Sequence, residues 1–396
     1  MAIVRTRRSR RIPGMSLSDN NASSPAGTDG GGDRRGSGPL RRGWTTGACA
    51  TAATRAAYVA LLTGTFPDPV TIALPRGDTP SFDLLRMELG SHHASASIVK
   101  DAGDDPDVTH GAEIIVTVCP GKAGSGVTFE AGQGVGTVTL PGLPVPAGEP
   151  AINPAPRKMI TEVTEAIASN FNIPADFNIT IAIPGGEKLA QKTMNGRLGI
   201  IGGLSILGTT GIVRPYSCSA WIHSIHSGID VARATGLTHI AATTGSTSEA
   251  AIKALYNLTD SALIDMGDFA GGLLKYLRHH PVKKLTLAGG FGKLTKLAQG
   301  NMDLHSARSQ LDFNKLADCL NELGGDDKSL ADTKKATTAM AVLEIARSQN
   351  LPLADLIARR AHDVALSAVD GGLSVEICVF DRDGGLVGRA QGDSDG

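Results

Sequence analysis

HIAATTGSTSE, residues 239–249, is a short apolar strand pattern that breaks into Gly and hydroxyl residues before a helical pattern takes over from Ser248. The same alternation recurs downstream. ALIDM (262–266) is followed by a helix near Leu273, and KLTLAG (284–289) by a helix after Gly292. Short buried strands alternating with helices make a βαβ series, whose right-handed crossovers place the strands side by side in a parallel, doubly wound sheet.

A Rossmann-like sheet of this kind holds a ligand's polar tail on the loop after its first strand, and an acid about 20 residues further on takes the ribose hydroxyls. Thr244, Gly245, Ser246, Ser248 and Glu249 supply that loop, and Asp268 stands 268 − 245 = 23 positions beyond it. Gly289, Gly290 and Gly292 open a second loop at the same edge. No intact dinucleotide fingerprint is present, because Gly290-Phe291-Gly292 is followed by Thr295. A Walker loop ending at Lys293 fails too, with Leu294 and Leu287 where Ser/Thr and Gly belong. A ligand with ribose and an amino-acid tail but no phosphates, an adenosyl sulfonium, is compatible with these looser loops.

Towards the N-terminus the period changes. VTIAL (70–74), FDLLRMEL (82–89), SASIVK (95–100), EIIVTV (113–118) and GVGTVTL (134–140) alternate as strands between Gly, Pro and Asp turns. Helical patterns cover 47–62 and 158–169, and Asn178–Ile183 reads as a further strand. The fold class is therefore α/β in two domains: an N-terminal α+β domain with a mostly antiparallel sheet (40–195) and a C-terminal Rossmann-like parallel-sheet domain (196–396). The latter closes with helices at 334–348 and 353–368 and a hairpin whose sheet is left open.

Between the two periods lies RLGIIGGLSILGTTGIVRP (197–215), where Gly punctuates Ile and Leu and the chemistry is confined to Ser205, Thr209, Thr210 and Arg214. Hydroxyls, bare amides and a guanidinium suit gripping an anionic ligand. Thr-Thr-Gly recurs at 45–47 and 243–245, each before a helical pattern. Helix capping explains any one copy, and three helix mouths around one ligand is the alternative.

KDAGDDPDVTHG (100–111) fails as a calcium loop, with Pro106 where Gly is obligatory and Ala112 where the bidentate Glu belongs. It crowds Asp104, Asp105 and Asp107 beside Lys100 and His110. A stiff turn and a ligand-facing acid or base both remain open.

Composition limits the function. Among 396 residues, Gly numbers 49, aromatics make up 4% and the formal net charge is −1, which argues against stacked-base or polyanion recognition of nucleic acid. Basic residues concentrate before Pro39, in a Ser/Gly-rich segment read as a disordered basic tail (1–39). No apolar run reaches membrane-spanning length. The 5 Cys are widely spaced and never CxxC, which fits reduced thiols, no protein-bound metal and a cytoplasmic protein.

Together LRRGWTTGACATAA (40–53), KDAGDDPDVT, INPAPRKMI (152–160), GRLGIIGGLSILGTTGIVRPYS (196–217), MGDFAGG (266–272), GGFGKLTKLAQG (289–300) and LHS (304–306) resemble the cobalt-precorrin-5B C(1)-methyltransferase family of anaerobic cobalamin biosynthesis. The resemblance implies methyl transfer from S-adenosylmethionine to ring carbon C-1 of a corrinoid whose cobalt arrives inside the substrate. It also implies a carboxylate-studded macrocycle held by Thr45, Thr46, Lys100, Asn153, Arg157, Arg197, Thr209, Thr210 and Arg214, with Asp104 or Asp105 handling any proton. The oligomeric state is left open. A non-enzymatic tetrapyrrole carrier and a nucleotide-dependent enzyme using Gly289–Lys293 are the alternatives.

Overall fold

The structure, a computed structural model, describes residues 3–6 and 39–392. The expected disordered tail falls outside these residues except at Ile3–Thr6, which departs from that reading: it forms a strand antiparallel to Arg86–Leu89. Three of its four residues, Ile3, Val4 and Thr6, are β-branched, which suits a pleated edge.

The fold is mixed α/β and separates into two compact units. The first holds a six-stranded sheet in the order Ile3–Thr6, Arg86–Leu89, Ala94–Val99, Glu113–Pro120, Phe177–Ala182, Val127–Ala131. Neighbours are antiparallel except the last pair. Helix Thr46–Thr63 lies on Ala94–Val99 and Glu113–Pro120 and against helix Pro154–Asn170. Ala48, Ala50, Ala52, Ala53, Ala56, Ala57 and Ala60 are wholly buried along it, because only small side chains let the sheet and a second helix approach it so closely. GVGTVTL does not join the six: only Thr137–Val138 is a strand, and it belongs to a separate two-stranded sheet. Val127–Ala131, which sequence patterning passed over, takes the edge.

The second unit has five strands in the order Leu263–Asp265, His239–Thr243, Lys284–Gly290, Ser374–Phe380, Leu386–Gln391. The first four are parallel and the last is antiparallel, so the C-terminal hairpin completes this sheet. Helix Ser246–Tyr256 covers one face above Ala241, Ala288 and Cys378. Helices Cys218–Ala234, Ala270–His279, Phe291–Ala298 and Leu353–Val369 build the larger core on the other. The helix expected at 334–348 is two, Asp327–Lys335 and Ala339–Ser348, because the chain extends at Ala336 and Thr338 caps a new start by accepting from Ala341 N.

A single boundary at 195/196 does not describe the units. The second also takes Val138–Gly148 and Met194–Ile201, and the first takes Gly202–Tyr216. Packing explains the first exchange: a Cβ on Gly142 would lie 2.6 Å from the carbonyl oxygen of Asp230, so this loop lies directly on helix Cys218–Ala234. Among the described residues no helix is long and apolar enough to cross a membrane, and no three His, Cys, Asp or Glu cluster as a metal site. All 5 cysteines are unpaired.

Candidate functional site

In the second unit His239–Thr243 is flanked by Leu263–Asp265 and Lys284–Gly290, so the connections that follow His239–Thr243 and Lys284–Gly290 run to opposite sides. The crevice outside the carboxyl ends at such a switch point is where α/β sheets bind ligands. Thr244 N donates to Ala288 O at 3.1 Å, which holds the loops after the two central strands side by side. A Cβ added to Gly245 or Gly290 would meet nothing within 4 Å, so both backbones face open space. Gly245 and Gly290 also cap helices Ser246–Tyr256 and Phe291–Ala298 without any side-chain cap, leaving first-turn N–H groups for a ligand.

The remaining expected donor residues divide. Ser246 is exposed beside Gly245, whereas Ser248 is buried and donates to Gly245 O at 2.9 Å, shaping the loop from below. Thr244 is buried as well, and a Cβ on Gly289 would come 2.8 Å from its Oγ1; this pair packs together. Gly292 faces Ala339 rather than the crevice, its Cβ position 3.5 Å from that methyl.

Asp268 is not the strand-end acid. Its Oδ1 lies 2.9 Å from Lys293 Nζ, which also reaches Thr244 O at 3.2 Å, so the pair ties two loops together. The acid at the strand end is Asp265, in register with Thr243 and 265 − 245 = 20 positions past Gly245. The signal was in ALIDM itself, had the count stopped at the last strand residue. Burial pushes the Asp265 carboxyl above its usual range, and the charge of Glu249 adds to the effect, while Arg197 opposes it.

Arg197, expected among the substrate ligands, belongs to this cluster instead. Its Nη1 and Nη2 donate to Glu249 Oε2 and Oε1 at 2.8 and 2.6 Å. That bidentate contact is the main reason its guanidinium holds its proton more tightly than usual. A half-buried acid, two bare glycine loops and free helix N-termini fit a ligand with hydroxyls and a charged amino-acid tail.

In the first unit most expected substrate groups are occupied by the fold. Thr45 caps its helix by accepting from Ala48 N at 3.1 Å. Thr46 Oγ1 accepts from Leu207 N at 3.0 Å and donates to Leu207 O at 3.2 Å, and Thr45 N donates to Gly211 O at 3.0 Å. The 207–211 loop is thus zipped onto this helix mouth, which closes one of the three. Lys100 is 1% exposed and pairs with Asp107 at 2.7 Å, so its ammonium is sealed from any ligand. Burial opposes the charge on Asp107, but Lys100 and Thr109 outweigh it and hold the carboxyl below its usual range. Arg157 binds Ile152 O at 2.8 Å and Glu149 and Pro150 O at 3.1 Å, bracing the loop before its own helix. Asn153 precedes that helix without a side-chain cap, and its N–H donates to Ile206 O at 2.9 Å.

The carboxylates of the crowded turn have separate duties. Asp104 Oδ2 accepts from Arg41 N at 2.6 Å and Asp105 Oδ1 from Tyr216 N at 2.8 Å. Thr210 bonds only locally, to Ile212 N at 3.3 Å. Thr209 and Arg214 are exposed, and Arg214 has no partner among the described residues.

Comparison with known proteins identifies the family. Residues 33–215 match the family model CbiD, and residues 303–391 match the CbiD C-terminal domain. Curated relatives from Brucella anthropi and Brucella suis biovar 1, both named cobalt-precorrin-5B C(1)-methyltransferase, are 60% identical over 351 residues, 88% of this chain and 95% of theirs. The crystal structure of cobalamin biosynthesis protein (cbiD) from Archaeoglobus fulgidus matches at 30% identity over 68% of this chain and 83% of that one, with a TM-score of 0.37. Identity this high along nearly the full length of the curated relatives leaves one assignment: the chain belongs to the CbiD family, that of the cobalt-precorrin-5B C(1)-methyltransferases.

Proposed function

We propose that this methyltransferase, which acts at C-1 of cobalt-precorrin-5B in cobalamin biosynthesis, takes its methyl group from S-adenosylmethionine seated on the Rossmann-like sheet of the second unit. The observation that carries the reading is the convergence of two side-chain-free loops, at Gly245 and Gly290, with the half-buried acid Asp265 at one sheet edge. When bound, the sulfonium supplies an electrophilic methyl group.

The protein's part is alignment and exclusion of water, since an in-line displacement at a sulfonium needs no enzyme nucleophile. Gly245 and Gly290 admit the donor's backbone-sized groups, the free N–H groups of the first helical turns face its carboxylate, and Asp265 accepts from ribose hydroxyls. Lys293 sets the separation of the loops through Asp268 and Thr244 O. On the first unit, exposed Arg214 and Thr209 are the groups left to receive carboxylates of the macrocycle. Asp105, half-buried with only Oδ1 committed to Tyr216 N, is the candidate for moving a proton, with Asp104 second. The enzyme works in the cytoplasm on a small-molecule substrate that brings its own cobalt.

Calorimetric titration with S-adenosylhomocysteine, ATP and NAD tests the donor. The first binds and the others do not, and Gly290→Val abolishes the binding by filling the open space. Binding of ATP or NAD favours a nucleotide-dependent enzyme, and binding of a tetrapyrrole without any nucleoside favours a carrier; either result removes the proposal.

A further inference from the structure

Trp221 is 46% exposed, although this chain has only 2 Trp and burying an indole is among the larger hydrophobic gains open to it. Its exposure is not looseness. Nε1 donates to the main-chain oxygen of Asp265 at 3.0 Å. The indole rests on Gly267, whose Cβ position lies 3.2 Å from Cζ2, and Phe269 packs at 6.1 Å between centroids. Arg308 sits 5.8 Å from the Phe269 ring and pairs with Asp303 at 2.6 Å, so the support beneath the indole is itself braced. A rigid aromatic surface is thus held out to solvent immediately beside the strand-end acid.

The sheet order extends the argument. Moving outward from the switch point, the crevice presents the Gly245 loop, then Asp265 on the neighbouring edge strand, then Trp221. An adenosyl ligand has the same order of groups: charged tail, ribose, base. Accepting the donor reading above, on which this rests, we infer that Trp221 is the platform on which the adenine ring stacks. Adenine rather than the macrocycle is the occupant, because the cations near Asp265 and the indole are already committed, Arg197 to Glu249 and Arg308 to Asp303, which leaves none among the described residues for a carboxylate-rich ring. Removing an aromatic platform from beneath a stacked base weakens binding by about one to two orders of magnitude. Trp221 is therefore a positioning residue that orients the donor without touching the reacting atoms.

The test uses the full chain with Trp44→Phe, leaving Trp221 as its one indole. S-Adenosylhomocysteine and adenosine quench its emission in step with calorimetric binding, and methionine alone does not. Trp221→Ala weakens S-adenosylhomocysteine about tenfold or more, while Trp221→Phe retains most of the affinity. Calorimetric binding of S-adenosylhomocysteine with unchanged emission, or with full affinity in Trp221→Ala, overturns the platform and leaves the donor reading standing. Emission that follows protein concentration instead of ligand overturns it in favour of self-association. Absence of any S-adenosylhomocysteine binding removes both readings.

Discussion

Arg197 and Glu249 meet in a two-pronged contact, 2.8 and 2.6 Å, in which a residue from the Gly-rich stretch clamps the first turn of the helix that follows Gly245. Burial is the main reason the Asp265 carboxyl lies above its usual range; the charge of Glu249 adds to the effect and the Arg197 guanidinium opposes it. Arg197→Ala leaves the two acids to repel one another, and S-adenosylhomocysteine binding measured by calorimetry at neutral pH falls about tenfold or more. Arg197→Lys, which loses the fork geometry, restores only part. Undiminished affinity in Arg197→Ala removes the clamp from the site.

On the proposed donor site, Asp265 trades stability for binding. Its folded-state pKa lies above the ordinary value, so the folded protein holds this proton more tightly than the unfolded chain does, and stability is lost as pH rises through the raised value. At neutral pH the charged carboxylate is a net cost to the ligand-free fold. Asp265→Asn therefore raises the ligand-free Tm while weakening S-adenosylhomocysteine about 10–100-fold through loss of charge-assisted hydrogen bonds to ribose. Donor affinity of the unmodified enzyme declines as pH falls through the same group, and that acid limb vanishes in the variant. A lowered Tm with intact binding would assign Asp265 to the fold alone.

Gly208 carries the seam between its loop and the helix mouth at Thr45. Its φ is 125°, and a Cβ there would lie 2.3 Å from Thr45 Oγ1. Gly208→Ala combines left-handed strain with a clash against a hydroxyl already committed to Ala48 N, at a cost of about 1–3 kcal/mol. Scanning calorimetry is expected to show Tm lowered by about 5 °C. An unchanged Tm means the loop is not seated on the helix.

Glu376 is fully buried and accepts from Tyr256 at 2.6 Å, Thr286 at 2.7 Å, Lys284 at 3.0 Å and Arg389 at 2.6 Å. Burial opposes its charge, but these donors outweigh it and hold the carboxyl at about 2 against an ordinary 4.5. The stabilisation is complete above the unfolded value and disappears as pH falls through the folded one. Urea midpoints of the unmodified protein therefore drop between about pH 5 and 2. Glu376→Gln is less stable at pH 7, by about 3 kcal/mol, and its acid limb is flatter. Equal slopes in the two proteins would deny the network this role.

The parallel sheet was legible because its strands are short runs of buried residues with a Gly or Asp at the end or within two residues after it, as at Ala288-Gly289-Gly290. The neighbours of such a run are decided by crossovers of fixed hand, which leave few topologies. Helix Thr46–Thr63 was legible from its alanines for a similar local reason. The end of this strand was set at Asp268 instead of Asp265 because Met266 and Gly267 look like a continuing strand, and only register against Thr243 marks where pairing stops. Helices Phe313–Glu322 and Cys218–Ala234 were passed over, the latter because its His and Ser residues obscure the apolar stripe of Ile225, Ile229 and Ala232.

By itself the sequence determined the mixed α/β class, the family and where the glycine turns fall, since these are matters of local period, local backbone freedom and contiguous motif. Only the tertiary structure decided which polar groups remain available. Thr45, Thr46, Lys100 and Arg157 carry the right chemistry for a carboxylate-rich ligand, yet other parts of the fold already satisfy or bury them: the distant 207–211 loop for the two threonines, and the nearer Asp107 and 149–152 turn for the two cations. A hydroxyl or ammonium binds whatever first meets its hydrogen-bonding need at low entropic cost, and in a packed fold that is often another part of the same chain.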